Sequence, residues 1–365
     1  MKRYGDIYDK ICTMENLYEA HRNARKDKLF YKEVQMVDAD PEKYLRQIQE
    51  MLVNETYEVS EYTISVINDK GKERELAKLP YFPDRIIQWA IMLQIEHVFM
   101  EVFCSHTCAS IKNRGISKAK ELVEGYLNQD KEGTQCCLKI DVSKFYPSID
   151  HAILKDLLAR KFKDKRLLNL LFKIVDSSPN GKGVPIGSYL SQYLANFYLA
   201  YFDHYVKEEL HLSYVVRYMD DIIVLSDSKE HLHEVRRKID EYLTENLHLH
   251  LKDNWQVFPV DARGIDFVGF RFFHGYTLLR KRTCKKFKCR MNKIKQKQDK
   301  GELINYSEWC SANSYKGWLK MCDGYRLTEK YITPIQPSLD RYYNEVILTK
   351  KKARKESKKG KGEAA

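Results

Sequence analysis

Three aspartates are the residues of this chain best suited to chemistry. Two are adjacent, in Tyr218-Met219-Asp220-Asp221, with Tyr214, Val215 and Val216 before them and Ile222, Ile223, Val224 and Leu225 after. The pattern reads as two apolar strands joined by a tight turn. Strands this apolar must be largely buried, so the turn is held rigidly. Adjacent carboxylates repel, and each favours protonation beside the other. A divalent cation removes the conflict, and hard oxygen donors suit Mg²⁺, which keeps waters and takes oxygens from substrate phosphates. Taken alone, the same residues also describe an ordinary Asp-Asp turn.

The third acid is Asp141, 79 residues before Asp220, in Leu138-Lys139-Ile140-Asp141-Val142-Ser143-Lys144-Phe145-Tyr146. By itself it is equally a cap at a strand end. In a mixed sheet, however, its strand can lie beside the hairpin and bring all three carboxylates together. Two metal ions about 3.5–4 Å apart can then activate a 3′-hydroxyl and stabilise departing pyrophosphate. Phosphoryl transfer needs little beyond such positioning and charge neutralisation.

The surrounding elements fit that arrangement. Residues 16–34 read as a polar helix and turn anchored by Leu17, Ala20, Ala24 and Leu29, and 41–52 as a second short helix. Residues 57–68 alternate and turn at Asp69-Lys70-Gly71, a hairpin signal. A loop at 79–83 precedes a long helix over 84–103 carrying Ile87, Ile91, Leu93 and Ile95. Residues 136–140 form a strand ending at Asp141. Asp150 begins a helix with Ile153, Leu154, Leu157, Leu158 and Phe162 on one face. Further helices are expected over 190–209 and around Leu232, Val235, Ile239 and Leu243, with a strand-like stretch at 264–273 and a mainly helical end over 284–348. The order suits a small mixed sheet backed by helices, an α+β core.

Composition narrows the classes. The chain has 365 residues, enough for two or three packed subdomains, and its 43% apolar content supports a folded protein. No apolar run reaches the roughly 18–20 residues that span a bilayer, and the first residues lack an apolar signal core. A soluble cytoplasmic protein without a membrane partner is expected. The nine cysteines form no CxxC pair and are odd in number. Reduced, mostly buried thiols are therefore expected over zinc ligation or disulfides.

The net charge of +12 is unevenly placed. Residues 280–300 hold eleven Lys or Arg and one acid, residues 350–365 hold eight and two, and the remainder carries −4. A basic block on a mildly acidic body suggests a polyanion track. A solvated face, or a tail acting only as a disordered tether, is the alternative.

These residues resemble the palm of reverse transcriptases. Asp141 with its trailing aromatics is similar to the family's first catalytic motif and Tyr218-Met219-Asp220-Asp221 to its second, and the match runs in order from about residue 16 to 330. The resemblance implies an α+β right-hand polymerase with fingers, a palm (a small mixed or antiparallel sheet backed by helices) and a helical thumb. It divides the chain into an N-terminal helical extension (1–55), fingers with the start of the palm (56–135), palm (136–278, with a fingers insertion near 163–185), basic thumb (279–348) and disordered basic tail (349–365).

The resemblance also implies site residues. Asp141, Val142, Asp220 and Asp221 would hold two Mg²⁺ ions, with Mn²⁺ able to replace them. Arg74, Arg85, Phe145, Tyr146 and Gln192 would contact the incoming dNTP. Tyr146 would gate the sugar, with an ordinary core aromatic as the alternative. Arg74 and Arg85 would grip the triphosphate, each equally readable as a surface ion pair. Lys252 matches a lysine that protonates pyrophosphate. Tyr218, Met219 and Gly269 would support the primer end, Gly269 by allowing close backbone approach. Arg280, Lys281, Arg282, Lys285, Lys286, Arg290 and Lys293 would follow the template–primer duplex through phosphates and sugars. Trp309, Tyr315 and Trp318 are read as thumb core ahead of base-stacking platforms.

One segment narrows the family. Gly183-Val184-Pro185-Ile186-Gly187-Ser188-Tyr189-Leu190-Ser191-Gln192 stands where group II intron and retron enzymes typically read QGxxxSP. The IGxxxSQ pattern resembles the enzymes of diversity-generating retroelements, which copy a template RNA with errors at adenines. Those enzymes work in bacteria or phage with a small basic accessory protein that forms a pentameric barrel. Ile186, Gly187 and Gln192 would then lie near the templating base; repacking of a fingers–palm junction is the alternative. The rival functions are an intron-derived or defence-associated reverse transcriptase of ordinary fidelity, a non-catalytic RNA-binding scaffold, and an RNA-dependent RNA polymerase, against which Tyr146 speaks.

Overall fold

The structure, a computed structural model, describes residues 2–69, 72–179, 181–185 and 187–349, without the side chains of Ile67, Asp69, Lys72 and Arg74. The expected basic tail from Lys350, Ile186, the hairpin tip Lys70-Gly71 and the Arg74 side chain lie outside the described residues. The chain divides into two compact units, Met1–Leu122 with Cys136–Phe258, and Val123–Gln135 with Pro259–Ala365.

The first unit begins with helices that follow local signals. Thr13 caps Met14–Ala24 by accepting from the Asn16 amide, and Asp40 caps Pro41–Val53, whose first residue is a proline. Next, β1 (Thr63–Asp69) pairs antiparallel with β2 (Lys72–Lys78), the hairpin expected from the alternation. The helix Ile86–Val102 buries Ile86, Ile87, Ala90, Ile91, Ile95, Val98 and Phe99 completely. A helix apolar on every side belongs inside a core, and the surrounding helices pack on it.

The central sheet follows. β3 (Cys136–Asp141), β4 (Val215–Tyr218), β5 (Asp221–Ser226) and β6 (Gln256–Pro259) lie in the order β4-β5-β3-β6. One face, with Leu138, Ile140, Val215, Ile222 and Val224, enters the main core. The helix Lys229–Leu247 packs on it, and the same core takes in His151–Lys161, capped by Asp150 on the amides of Ala152 and Ile153, and Lys165–Asp176. The helix expected over 190–209 is interrupted. Tyr189–Tyr198 ends at Leu199, Ala200–His204 follows, and a wide turn occupies Tyr205–Glu209.

The second unit holds β7 (Ile265–Phe267), β8 (Phe270–Phe273) and β9 (Tyr276–Leu279) as an antiparallel meander. The single strand expected over 264–273 is thus a hairpin, because Val268 and Gly269 both take positive φ (41° and 96°) and turn the chain. Two long helices, Lys281–Asp299 and Tyr306–Lys320, complete it with shorter turns to Leu348. The unit boundary at Pro259 falls ahead of the expected palm–thumb limit at 278. The reason is packing within the unit: the Phe270 ring lies 5.1 Å from that of Trp318, and Thr277 donates through its hydroxyl to Glu124 and through its amide to the Asp323 carboxylate. Thr134 contacts His274, and the Val260 amide donates to Gln135, which ties 123–135 to the same unit.

No helix among the described residues is long and apolar enough to cross a membrane. No disulfide joins any of the nine cysteines, all of which lie among the described residues, and Cys12, Cys108, Cys136 and Cys137 are buried.

Candidate active site

The acids converge through strand register. β3 pairs with β5 so that Asp141 stands opposite Asp221, and β4 pairs with β5 so that Tyr218 closes on Asp221. Met219 and Asp220 make the turn, with Met219 left-handed at φ 58°. The Val142 amide donates to the Asp220 carbonyl at 3.1 Å, which ties the end of β3 to that turn. Directly opposed residues of an antiparallel pair have Cα atoms about 4.5–5.5 Å apart, so Asp141 and Asp221 are close neighbours.

Lys252 is placed by a short extension of the sheet. Leu251 bridges Val142, the Ser143 amide donates to His250 at 2.8 Å, and the Lys252 amide donates to the Asp141 carbonyl at 2.8 Å. Its ammonium contacts the Asp141 carboxylate and lies 4.0 Å from Oδ2 of Asp220. Lys139 lies 3.4 Å from Oδ2 of Asp221. Burial, then the charge of Asp141, pushes the Asp220 carboxyl above its ordinary pKa, and Lys252 pulls the other way.

These residues fit a divalent cation in chemistry. They offer hard carboxylate oxygens, and Asp220, raised by burial and then by the charge of Asp141, is a carboxyl whose ionised form a cation would favour. As placed, the acids meet in pairs, Asp141 with Asp220 and Asp141 with Asp221; among the described residues no three such groups are gathered tightly enough to ligate one ion together.

Tyr146 reaches this centre. Its hydroxyl lies 3.7 Å from Sδ of Met219, and its ring meets buried Phe145 edge-on at 5.7 Å. Sequence reasoning missed the support behind it. The Val184 amide donates to the Tyr146 carbonyl at 3.0 Å, and a Cβ on Gly183 (φ 77°) would stand 2.6 Å from that oxygen. Arg85 and Gly187 line one cavity of about 730 Å³ with Lys28, Tyr31 and Lys78. Arg85 donates to the Ala24 carbonyl at 3.2 Å, and burial lowers its pKa. The three aspartates are not in that cavity's wall. Gln192 is half-buried in the first turn of Tyr189–Tyr198, and Tyr218 is half-buried on β4.

Sequence reasoning also missed Arg217, which is fully buried on β4 and bonded to Asp203, Asn196 and the Met219 carbonyl. The available signal was a lone arginine inside Val215-Val216-Arg217-Tyr218.

In the second unit the expected duplex-binding residues lie on the helix Lys281–Asp299. It buries Phe287, Met291 and Ile294 on one stripe and exposes Lys281, Arg282, Lys285, Lys286, Arg290 and Lys293 on the rest. Arg280 stands before its first turn, paired with Asp266. Gly269 does admit a close approach, but by Trp318: an added Cβ would stand 2.5 Å from that ring. Trp309 and Tyr315 pack on Tyr342, Tyr343 and Phe287, as core aromatics do.

The family model for reverse transcriptase (RNA-dependent DNA polymerase) matches residues 67–272. The chain belongs to the reverse transcriptase family. That range carries all three aspartates, Tyr146 and Lys252, and with it the α+β right-hand polymerase fold expected from the resemblance. Among curated relatives, nuclear intron maturase 4 of Arabidopsis thaliana is 28% identical over 217 residues, 55% of this chain and 25% of that protein. Group II intron-encoded protein LtrA of Lactococcus lactis is 27% identical over 191 residues, 46% of this chain and 29% of that protein. The matched stretch thus spans under a third of the length of either relative. A solved telomerase of Candida albicans with a telomeric RNA fragment aligns at TM-score 0.48 and 11% identity, over 81% of this chain and 65% of that one.

Proposed function

We propose that this chain is an RNA-directed DNA polymerase that extends a primer with dNTPs along a template RNA. The observation that carries this is the register of β3 on β5, which sets Asp141 against Asp221 and ties Val142 to Asp220. In the reaction a primer 3′-hydroxyl loses its proton and attacks the α-phosphorus of the dNTP. A new P–O bond forms, the bond to the β-phosphate oxygen breaks, and pyrophosphate leaves. Asp141, Asp220 and Asp221, with the backbone at Val142, would hold Mg²⁺ (or Mn²⁺), which when bound supplies charge neutralisation for this transfer. Lys252 would give a proton to pyrophosphate, a role its position beside Asp141 and Asp220 supports. Tyr146, against Met219, walls the sugar side. Arg85 and Arg74 would hold the triphosphate, with Phe145 and Gln192 lining the nucleotide's surroundings. Tyr218 and Met219 would support the primer, and the exposed basic face of Lys281–Asp299 would follow the duplex backbone.

The test is Asp220→Ala on an RNA template with a DNA primer. Extension should vanish while template binding, read by anisotropy, persists. Extension at the wild-type rate refutes the assignment.

Within this activity we read the enzyme as the adenine-mutagenic polymerase of a diversity-generating retroelement, acting with a pentameric basic accessory protein in a bacterial or phage cytoplasm. The support is the IGxxxSQ segment and the placement of Gly187 in the wall of the Arg85 cavity. Ile186→Gln should lower errors opposite template adenine; an unchanged error spectrum overturns this. A group II intron-like enzyme of ordinary fidelity is the second reading, favoured by the intron proteins among the relatives. Sequencing cDNA from an adenine-rich template separates the two.

A further inference from the structure

A charge inside a buried strand is tolerated only when paired and fully hydrogen-bonded. Arg217 meets that condition. Its side chain is 0% exposed and that of its partner Asp203 is 1% exposed. Nε donates to Oδ1 of Asp203 at 2.7 Å and Nη2 to Oδ2 at 2.5 Å, a two-pronged pairing. Asp203 is itself fixed by the Thr107 hydroxyl at 2.6 Å and faces His106 at 3.4 Å. The backbone of Arg217 is fixed too, its amide donating to His106 at 3.0 Å and its carbonyl accepting from Cys108 at 2.9 Å.

One guanidinium nitrogen remains, and it points at the turn. Nη1 donates to Oδ1 of Asn196 at 3.2 Å and to the Met219 carbonyl at 3.0 Å. That carbonyl belongs to the peptide linking Met219 to Asp220. Met219 holds φ 58°, a conformation uncommon for a non-glycine residue and one that an external constraint helps to hold. The bond from Arg217 is a constraint of that kind, applied from the core side of the sheet.

We propose that Arg217 is a positioning residue for nucleotidyl transfer: anchored by Asp203, it holds the Met219–Asp220 peptide from behind and so fixes where the Asp220 carboxylate points. This rests on the polymerase reading above. A lysine keeps the charge but has no planar fork, and cannot hold Asp203 and Met219 at once in this geometry.

The test compares wild type with Arg217→Lys, Thr107→Val and the double variant Asp203→Leu/Arg217→Met. Thr107→Val removes one bond to Asp203 but leaves both Arg217–Asp203 prongs and the Arg217–Met219 bond in place, so it controls for a general loss of stability. Two readouts are taken on each protein: kcat and KM for dTTP on a poly(rA)–oligo(dT) template, normalised to folded protein, and hydrogen exchange of the metal-free protein over 137–145 and 215–223. Arg217→Lys should lower kcat on the order of 10²-fold, as a misplacement of about 1 Å can, with KM for dTTP held. It should also speed exchange at the Val142 amide, whose acceptor is Asp220, ahead of the amides at 222–225. Thr107→Val should lower stability and leave kcat unchanged. The double variant, which replaces the ion pair with apolar side chains, should fold and still show the kcat loss; it carries the test should Arg217→Lys fail to fold.

Wild-type kcat in either Arg217 variant overturns the proposal, as does a loss matched by Thr107→Val. The exchange arm needs no catalysis. A wild type that never extends a primer therefore sinks the polymerase reading alone, and unchanged exchange at Val142 sinks the positioning claim alone.

Discussion

Replacing Asp203 with asparagine keeps the shape of the side chain and removes its charge. The Arg217 guanidinium, 0% exposed, then lacks its counter-ion. Breaking a buried pair by removing one member costs about 3–5 kcal/mol. Counting bonds gives a similar figure: two charge-assisted bonds to Asp203 are lost or weakened, each worth roughly 1.5–3 kcal/mol. Asparagine keeps one acceptor, so about 3 kcal/mol is expected. Against a total stability of about 5–15 kcal/mol and a urea slope of about 1–3 kcal/mol per molar, the midpoint of the first unit should fall by roughly 1–3 M. Burial by itself would raise the Asp203 pKa, but the charge and bonds of Arg217, aided by His106, hold it well below the ordinary carboxylate range. A depressed carboxyl contributes stability above its unfolded pKa of about 3.9, lost as pH falls through the folded value. The gap between wild type and variant should therefore be constant above about pH 5 and narrow in stronger acid. Urea unfolding followed by hydrogen exchange of first-unit peptides, from pH 7 to pH 3, measures both. A gap under about 1 kcal/mol at pH 7, or one that does not narrow below pH 4, refutes the reasoning.

Tyr146→Ala should admit ribonucleotides, raising the ratio of rNTP to dNTP incorporation in single-turnover assays; an unchanged ratio removes the gate role. Gly269→Ala should destabilise the second unit by about 2–5 kcal/mol, combining left-handed strain with overpacking against Trp318. Exchange confined to second-unit peptides would register it, and wild-type protection there would count against the packing. Replacing Lys285, Lys286 and Lys293 together with glutamine should flatten the salt dependence of template–primer binding by up to about 0.9 per lost phosphate contact. Filter binding between low and high salt tests this, and a slope equal to wild type clears those residues of duplex contact.

The acids were legible because their chemistry and their strand pattern coincide. An apolar run ending in Asp141 and an apolar pair broken at Met219-Asp220 describe the same two faces that the register brings together. The helices with clear caps, at Asp40 and Asp150, were legible for the same local reason. What was not legible depends on distant partners. Arg217 looks like an interruption of an apolar strand until Asp203 and Asn196 meet it, and Gly183 looks like loop punctuation until the Tyr146 carbonyl stands in the way of a Cβ. The alliance of Val123–Gln135 with β9 is invisible for the same reason, because Thr277 and Glu124 lie 153 residues apart. Gly269 was read as a close-approach point, and within the protein the neighbour that approaches it is Trp318.

Catalytic geometry here is inherited from core packing. Leu138 and Ile140 on β3 face Val224 and Ile222 on β5, all at most 1% exposed, on the side of the sheet that enters the core. Asp141 and Asp221 stand on the other side because side chains alternate along a strand. A slip of β3 by one residue would move Asp141 toward the core and Leu138 and Ile140 away from it. At roughly 1.5–3 kcal/mol per side chain, the slip forfeits about 3–6 kcal/mol, a large share of the stability of a domain. The repulsion between Asp141 and Asp220, which adds to burial in raising the Asp220 carboxyl, does not drive such a rearrangement against that sum. The carboxylates are therefore held in mutual opposition by residues that never touch them, and only Asp220, on the turn outside the ladder, depends on a separate anchor. That division is why the Met219–Asp220 peptide needs Arg217 while Asp141 and Asp221 do not.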